Sequence, residues 1–137
     1  RYFVHEVMPL LREHLPEVSL HIAGKRMTEE VRNFANGDSI AVHPDVPSAS
    51  DFLQAHEILV VPLLSGGGMR LKIVEAMALG MPIISTRIGA EGIDVRDGDN
   101  ILFAESPRDF LQAIQHLLSN NALRKRLGEN ARETALK

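Results

Sequence analysis

The part of the sequence best suited to chemistry is the segment at residues 65–82, SGGGMRLKIVEAMALGMP. The three glycines at 66–68 carry no Cβ, so their backbone can approach an anion closely. A helix is expected to start around Met69 to Lys72, where its first amides would have no partner within the helix. Arg70 and Lys72 place positive charge at this end, where cations are unfavourable unless an anion is bound. The segment therefore predicts an anion site.

A simpler interpretation is a flexible glycine turn beside two solvated cations. A glycine run alone would favour that interpretation, whereas an apolar strand, glycines, a helix start and two cations in sequence favour the anion site. The segment is not a Walker loop, because neither Lys-Ser nor Lys-Thr ends the glycine run.

Glu75 is the exception in a helix that otherwise reads as apolar nearly all round and is therefore expected to be buried. A carboxylate in such a helix needs partners, because an unpaired buried charge is costly. One candidate is Lys72, three positions earlier on the same face, which would make the pair structural. The other is a sugar diol, whose two hydroxyls can donate to one carboxylate. Chemistry alone leaves both open.

Helical and strand-like patterns alternate along the chain, which predicts an α/β fold with a parallel sheet covered on both faces. Predicted strands cover residues 19–23, 39–43, 58–61, 82–85 and 101–103, with 58–61 the candidate central strand. Predicted helices are one interrupted by Pro9, one capped by Thr28, one over 48–55, one over 71–79 closed by Gly80, one over 106–118 capped by Ser106 with Asp109, and one from about 122. The run at 101–103 is expected to be an edge strand, and residues 86–92 are expected to form a mobile loop over the site. Ligands of such sheets collect at the carboxyl ends of the strands, so the loops after Ala23, His43, Val61 and Ser85 should line the site.

Composition narrows the function classes. The 137 residues fit one globular domain, and a net charge of −3 with scattered cations gives no nucleic-acid footprint. The absence of cysteine fits a reducing compartment, with the cytoplasm as the default. No apolar stretch has the length of a membrane span. Both ends interrupt helical patterns, so an excised piece of a longer protein is expected.

Three stretches resemble a known family: VEAMALGMPIIS at 74–85, GAEG at 89–92 and DGDNI at 97–101. They are similar to the C-terminal domain of retaining glycosyltransferases of family 4, also called group 1. The resemblance implies a GT-B architecture, in which this domain is a Rossmann-like three-layer sandwich with a parallel sheet, here missing its first strand. Residues 1–137 would then be a fragment of the donor-nucleotide-binding C-terminal domain.

The resemblance also implies residue roles. The glutamate of the family's core, matching Glu75, binds the ribose hydroxyls. The glycine loop and helix start hold the donor diphosphate, which assigns Gly67, Gly68, Met69 and Arg70 to that role, with Lys72 as a further cation.

One position departs from the family's common pattern. Many members carry a second glutamate eight positions before the first, in contact with the donor sugar, and here that position is Gly67. The sequence looks like the subgroup with a glycine-rich, basic loop, and the identity of the donor sugar stays open.

The loop after His43 corresponds to the nucleobase region, with Val46 as the expected backbone contact and His43 itself expected at the surface. The histidines show no metal-ligand spacing, so neither a metal nor a cofactor is expected.

The implied reaction is transfer of a hexose-like unit from a nucleotide diphosphate sugar to an acceptor hydroxyl, with retention. The catalytic residues stay unknown, because the acceptor site lies on an N-terminal domain that is the expected partner, and the fragment alone should be inactive. Peripheral membrane association of the full-length protein is left open. One alternative is a non-catalytic nucleotide-binding or interaction domain, which Gly67 favours. Another is a receiver-type signalling domain, but this sequence lacks the cluster of acidic residues at strand ends that such a domain needs.

Overall fold

The computed structural model describes residues 2–23, 28–35, 39–43, 46–62 and 70–136. The chain divides into two compact units, Arg1–Ala49 and Ser50–Lys137. Both contain parallel strands and helices, so the predicted α/β class is confirmed. Among the described strands, two belong to one sheet and three to another, where the sequence had predicted a single sheet.

The first unit begins with an irregular helix. A π-helical turn, Phe3–Val7, runs directly into α1, Met8–His14. Pro9 lacks the amide that would donate to His5, so the regular α-helical ladder is interrupted before it, as predicted. Phe3, Val7 and Leu11 are buried along one side.

Two parallel strands form the sheet of this unit. They are β1, Leu20–Ala23, and β2, Ile40–His43, with Leu20 opposite Ile40 and Ala23 opposite His43. The short helix α2, Glu29–Arg32, lies between them in sequence. The Thr28 side chain accepts from the Val31 amide at 3.2 Å, which confirms the predicted cap.

The second unit has three strands and most of the helices. Helix α3 starts at the last residue of the first unit. The elements in chain order are α3 Ala49–Gln54, β3 Leu59–Val61, α4 Arg70–Ala78, β4 Ile83–Ser85, β5 Leu102–Phe103, α5 Pro107–Ser119 and α6 Asn121–Ala135. Each matches a predicted element to within a few residues at either end.

The sheet of the second unit has the order β3-β4-β5, with all pairs parallel. Among the described strands, β4 is therefore the central one, and the prediction that residues 58–61 form the central strand is wrong there. All three residues of β4 are buried, as expected of a strand paired on both sides. Strand β5 lies at the edge, as predicted.

Helices α5 and α6 close the C-terminal end of the unit. Ser106 and Asp109 form the predicted capping box, in which the Ser106 hydroxyl accepts from the Asp109 amide and the Asp109 carboxylate accepts from the Ser106 amide. The Asn120 side chain caps α6 by accepting from the Leu123 amide at 3.0 Å. The buried apolar residues of α5 are Phe110, Leu111, Ile114 and Leu117.

The expectation that α4 is buried on all sides is wrong. Ile73, Ala76 and Met77 are fully buried in the core of the unit. Leu71, Val74 and Ala78 lie on the opposite face and are exposed. Residues three and four apart share a helix face. The apolar residues of α4 therefore form two faces, one that packs in the core of the unit and one that is exposed.

The C-terminal end of α4 is closed by Gly80 in the left-handed conformation, with φ 74. The Gly80 amide donates to the Met77 carbonyl and the Met81 amide to the Ala76 carbonyl, the two bonds of a Schellman motif. This confirms the predicted cap. Gly128 of α6 packs on the same turn, since a Cβ added there would lie 2.2 Å from the Gly80 carbonyl oxygen.

Candidate functional site

The predicted site lies at the carboxyl edge of the three-stranded sheet. Val61 ends β3 and Ser85 ends β4, and the two residues are paired in register. The segments that follow them therefore leave the sheet from neighbouring strands at one edge, where α/β proteins bind ligands.

The glycine loop follows β3. Gly67, Gly68 and Met69 lie outside the described residues, so their diphosphate-binding role stays a prediction. The next described residue is Arg70, which is the first residue given for α4. A helix therefore lies where the sequence predicted one after the glycine loop.

Lys72 and Glu75 both lie on α4 outside its fully buried face. Lys72 is exposed and Glu75 is partly buried. Among the described residues, ion pairs join His14 to Glu13, Arg87 to Glu105 and Arg124 to Glu57, and none joins Lys72 to Glu75.

The structural alternative for Glu75 therefore finds no support in the geometry. No hydrogen bond to the Glu75 carboxylate is found within the described part of the chain either. Its oxygens keep their capacity to accept from an external donor.

The first turn of α4 also presents an apolar side chain that the sequence analysis did not single out. Leu71 is 79% exposed, more than any other large apolar residue within the described ranges. Glu75 lies one helical turn further along, on the same side of the helix. The available signal was the i, i+4 spacing of the two residues.

The turn after β4 is tightly packed against the strand ends. The Gly89 amide donates to the Thr86 hydroxyl at 3.1 Å, and both residues are buried. A Cβ on Gly89 would lie 2.7 Å from the Ser85 Oγ and 2.9 Å from the Val61 Cγ1. This close approach to two strand ends requires glycine. The stretch at 86–92, expected to be a mobile loop, is thus anchored in its first half.

Arg87, two residues beyond β4, is held against the edge strand. Its guanidinium lies 4.7 Å from the centre of the Phe103 ring and 3.6 Å from the Glu105 carboxylate. The Arg87 amide also donates to Glu105 at 2.8 Å. Its side chain is 65% exposed, so the contact adds little stability but orients a cation at the sheet edge. Sequence analysis missed it, although its position just after a predicted strand was a signal.

The predicted nucleobase residues belong to the first unit. His43 ends β2 and is partly buried, and Val46 is also partly buried. The His21 Nδ1 and His43 Nε2 atoms lie 3.0 Å apart, so one ring donates a hydrogen bond to the other. The Ser19 hydroxyl lies 3.2 Å from the remaining His21 nitrogen. His43 is thus partly exposed, and its ring also belongs to a hydrogen-bonded pair.

Two classes of feature are absent from the described ranges. No three histidine, aspartate or glutamate side chains there are grouped so that they could hold a metal ion. No helix in those ranges combines the length and apolar character needed to span a bilayer.

Comparison with protein families gives one match over most of the chain. Residues 1–120 match the family described as Glycosyl transferases group 1. Among related sequences, an uncharacterized glycosyltransferase of Methanocaldococcus jannaschii is 42% identical over 90 residues, which are 64% of this chain and 25% of that protein. The chain thus spans about a quarter of the length of that relative.

Solved structures show the same fold. The C-terminal domain of the group 1 glycosyl transferase LpcC from Francisella tularensis superposes with a TM-score of 0.78 at 19% identity, covering 98% of this chain and 75% of that one. The Anabaena protein HepE, in complex with UDP and glucose, gives a TM-score of 0.81 at 15% identity, covering 96% and 39% of the two chains. These neighbours have the GT-B architecture.

Proposed function

Because this chain belongs to the Glycosyl transferases group 1 family, we propose that it binds the nucleoside diphosphate of a sugar donor at the start of α4. In the full-length protein the donor sugar, of hexose type, passes to an acceptor hydroxyl with retained configuration. We place the chain in the C-terminal domain of a family 4 enzyme. An N-terminal domain supplies the acceptor site, and the 137-residue chain alone is inactive.

The observation that carries this proposal is Glu75. Its carboxylate is partly buried on the second turn of α4 and has neither an ion pair nor a hydrogen bond among the described residues. A structural role for Glu75 would need a partner within the protein, and the described residues supply none. The two adjacent hydroxyls of a ribose satisfy the carboxylate with charge-assisted hydrogen bonds.

The diphosphate is assigned to the N-terminal end of the same helix. We assign the amides of Gly68 to Arg70 to this role, because unpaired amides and the helix dipole at a helix N-terminus favour negative charge. Arg70 and the exposed Lys72 add positive charge. As the bond to the sugar breaks, negative charge grows on the departing diphosphate, and these groups stabilise it. No metal or cofactor enters this proposal.

The fold neighbours support the same ligand class. HepE was solved with UDP and glucose bound, and its fold matches 96% of this chain. A nucleotide diphosphate is therefore a ligand that this fold accommodates in one protein. The nucleobase is assigned to the loop after His43, with Val46 as its backbone contact.

A second candidate is a non-catalytic nucleotide-binding or interaction domain. Gly67 favours it, since glycine stands where the common family pattern has a glutamate that touches the donor sugar. The two candidates share nucleotide binding and differ in turnover.

The test has two stages. Calorimetric titration of the chain with uridine, guanosine and adenosine diphosphates should show saturable binding of at least one, and no binding of any would contradict the proposal. The full-length protein is then assayed for release of that nucleoside diphosphate from nucleotide sugars in the presence of acceptor extracts. Binding without turnover would establish the non-catalytic candidate, and turnover by the 137-residue chain would contradict its inactivity.

A further inference from the structure

The outer face of α4 combines features that a purely structural helix does not need. Leu71 is 79% exposed and Val74 is 36% exposed, while Glu75 is partly buried and its carboxylate has no partner among the described residues. A large apolar side chain left in water gains nothing for the fold, so Leu71 is available to a ligand or a partner.

Helical geometry fixes how these side chains are arranged. At about 100° per residue, Leu71 lies about 40° from Glu75 around the helix axis and one turn nearer to the N-terminus. Lys72 lies about 60° to the other side of Glu75, and Val74 lies about 100° away on the Leu71 side. Leu71 is therefore the exposed apolar side chain adjacent to the carboxylate, between it and the helix start.

We propose that Leu71 binds the apolar face of the donor nucleoside, packing against the ribose or base while Glu75 accepts from the ribose hydroxyls. This inference rests on the proposed function and adds a residue that determines affinity for the nucleoside part of the donor. The order along the helix matches that of the ligand, since the phosphates lie at the amides of the first turn and the pentose lies one turn further on.

A second copy of this chain fits the same face less well. Covering the exposed Leu71 with an apolar helix would also cover Glu75 and remove its carboxylate from water without a donor, which is strongly unfavourable. A nucleoside presents hydroxyl donors beside an apolar ring face, so it satisfies both side chains at once.

The test compares Leu71→Ala with Val74→Ala, its matched control on the same helix, whose side chain is turned about 100° around the axis from Glu75. Each variant of the chain is titrated with the nucleoside diphosphate that the wild type binds most tightly and, separately, with inorganic pyrophosphate. Leu71→Ala should weaken nucleoside diphosphate binding roughly tenfold and leave pyrophosphate binding within about twofold, because only the nucleoside loses a contact. Val74→Ala should leave both unchanged, and Leu71→Met should restore most of the affinity.

The outcomes separate this inference from the proposed function. Unchanged nucleoside diphosphate affinity in Leu71→Ala overturns the inference while the donor site stands. An equal loss for pyrophosphate also overturns it, since the substitution would then act on the helix start. A wild-type chain that binds none of the three nucleoside diphosphates removes the proposed function and this inference together. A dimer in sedimentation that Leu71→Ala dissociates assigns the face to self-association instead.

Discussion

The two ends of helix α4 are built in opposite ways. At its C-terminal end the carbonyls of Ala76 and Met77 accept from the amides that follow, Gly80 turns the chain, and Gly128 of α6 packs directly on that turn. At its N-terminal end Leu71 is mostly exposed and Lys72 is exposed, and one turn later the Glu75 carboxylate has no partner within the described residues.

In the proposed function, this difference separates the structural, or scaffold, end of α4 from its ligand-binding end within nine residues. Polar groups that are satisfied by the protein itself contribute to stability, and their removal destabilises the fold. Polar and apolar groups left without protein partners are available to a ligand, and their removal should affect binding with little effect on the fold. Substitutions at the two ends should therefore give different kinds of loss.

The largest effect is expected for Gly128→Ala at the scaffold end. The added Cβ would lie 2.2 Å from the Gly80 carbonyl oxygen, and backbone on both sides must move to relieve the clash. We expect a loss of about 3 kcal/mol in the free energy of unfolding, measured by urea denaturation. A variant as stable as the wild type would show that the close packing of Gly128 on the Gly80 turn does not limit stability.

Gly98→Ala is a suitable control for that substitution. Gly98 has φ 81 but nothing within 4 Å of its added Cβ, so alanine there is strained without a clash. A loss of about 1 kcal/mol is expected.

Asn100→Ala tests a second scaffold contact. The buried Asn100 side chain accepts from the Arg96 amide at 2.8 Å and donates to the Asp94 carbonyl at 3.2 Å and to the Thr134 hydroxyl at 3.1 Å. It thereby joins α6 to the turn before β5. Removing it leaves buried groups without partners, and a loss of about 2 kcal/mol is expected in the same denaturation experiment. Thr134→Val, which removes one of the three partners, should cost less.

Glu75→Gln tests the ligand end. Glutamine keeps the shape but removes the charge, so hydrogen bonds from ribose hydroxyls weaken and nucleoside diphosphate affinity should fall about tenfold, or 1.4 kcal/mol. The free energy of unfolding should change by less than about 0.5 kcal/mol. A variant with reduced stability and unchanged affinity would instead show that Glu75 has a structural partner.

The smallest effect concerns Asp109, which belongs wholly to the scaffold. Its carboxylate accepts from the Glu105 amide at 3.0 Å and from Ser106, and these bonds hold the pKa of Asp109 below its ordinary value of 3.8. A lowered pKa means that this stabilisation is present above pH 3.8 and is lost as the pH falls further. Asp109→Asn should cost about 0.5 kcal/mol at neutral pH, and the difference from wild type should shrink in acid. A pH-independent difference would contradict this.

Local signals predicted much of this structure. Thr28, Ser106 with Asp109, and Gly80 each marked a helix end, because the capping chemistry lies in neighbouring residues. Pro9 marked the irregular first helix for the same reason. These features depend on contacts close in sequence, which a single sequence displays directly.

Long-range contacts were less predictable. The His21 and His43 pair depends on strand register, and the Arg87 contact with Phe103 depends on the order of β4 and β5. The exposure of Leu71 and Val74 depends on what does not pack against α4, and apolar periodicity carries no such information. The predicted helix after the glycine loop is present, whereas the ligand roles assigned to its start, including those of Gly67, Gly68 and Met69, stay a prediction.

The most direct test of the donor site is an NMR titration of the chain with the nucleoside diphosphates, following backbone amides. The proposal predicts saturable shifts concentrated at residues 67–72 and at Glu75, with inorganic pyrophosphate reproducing the first group but not the second. Shifts confined to other parts of the chain, or none at saturating ligand, would contradict the assignment of the α4 start as the donor site.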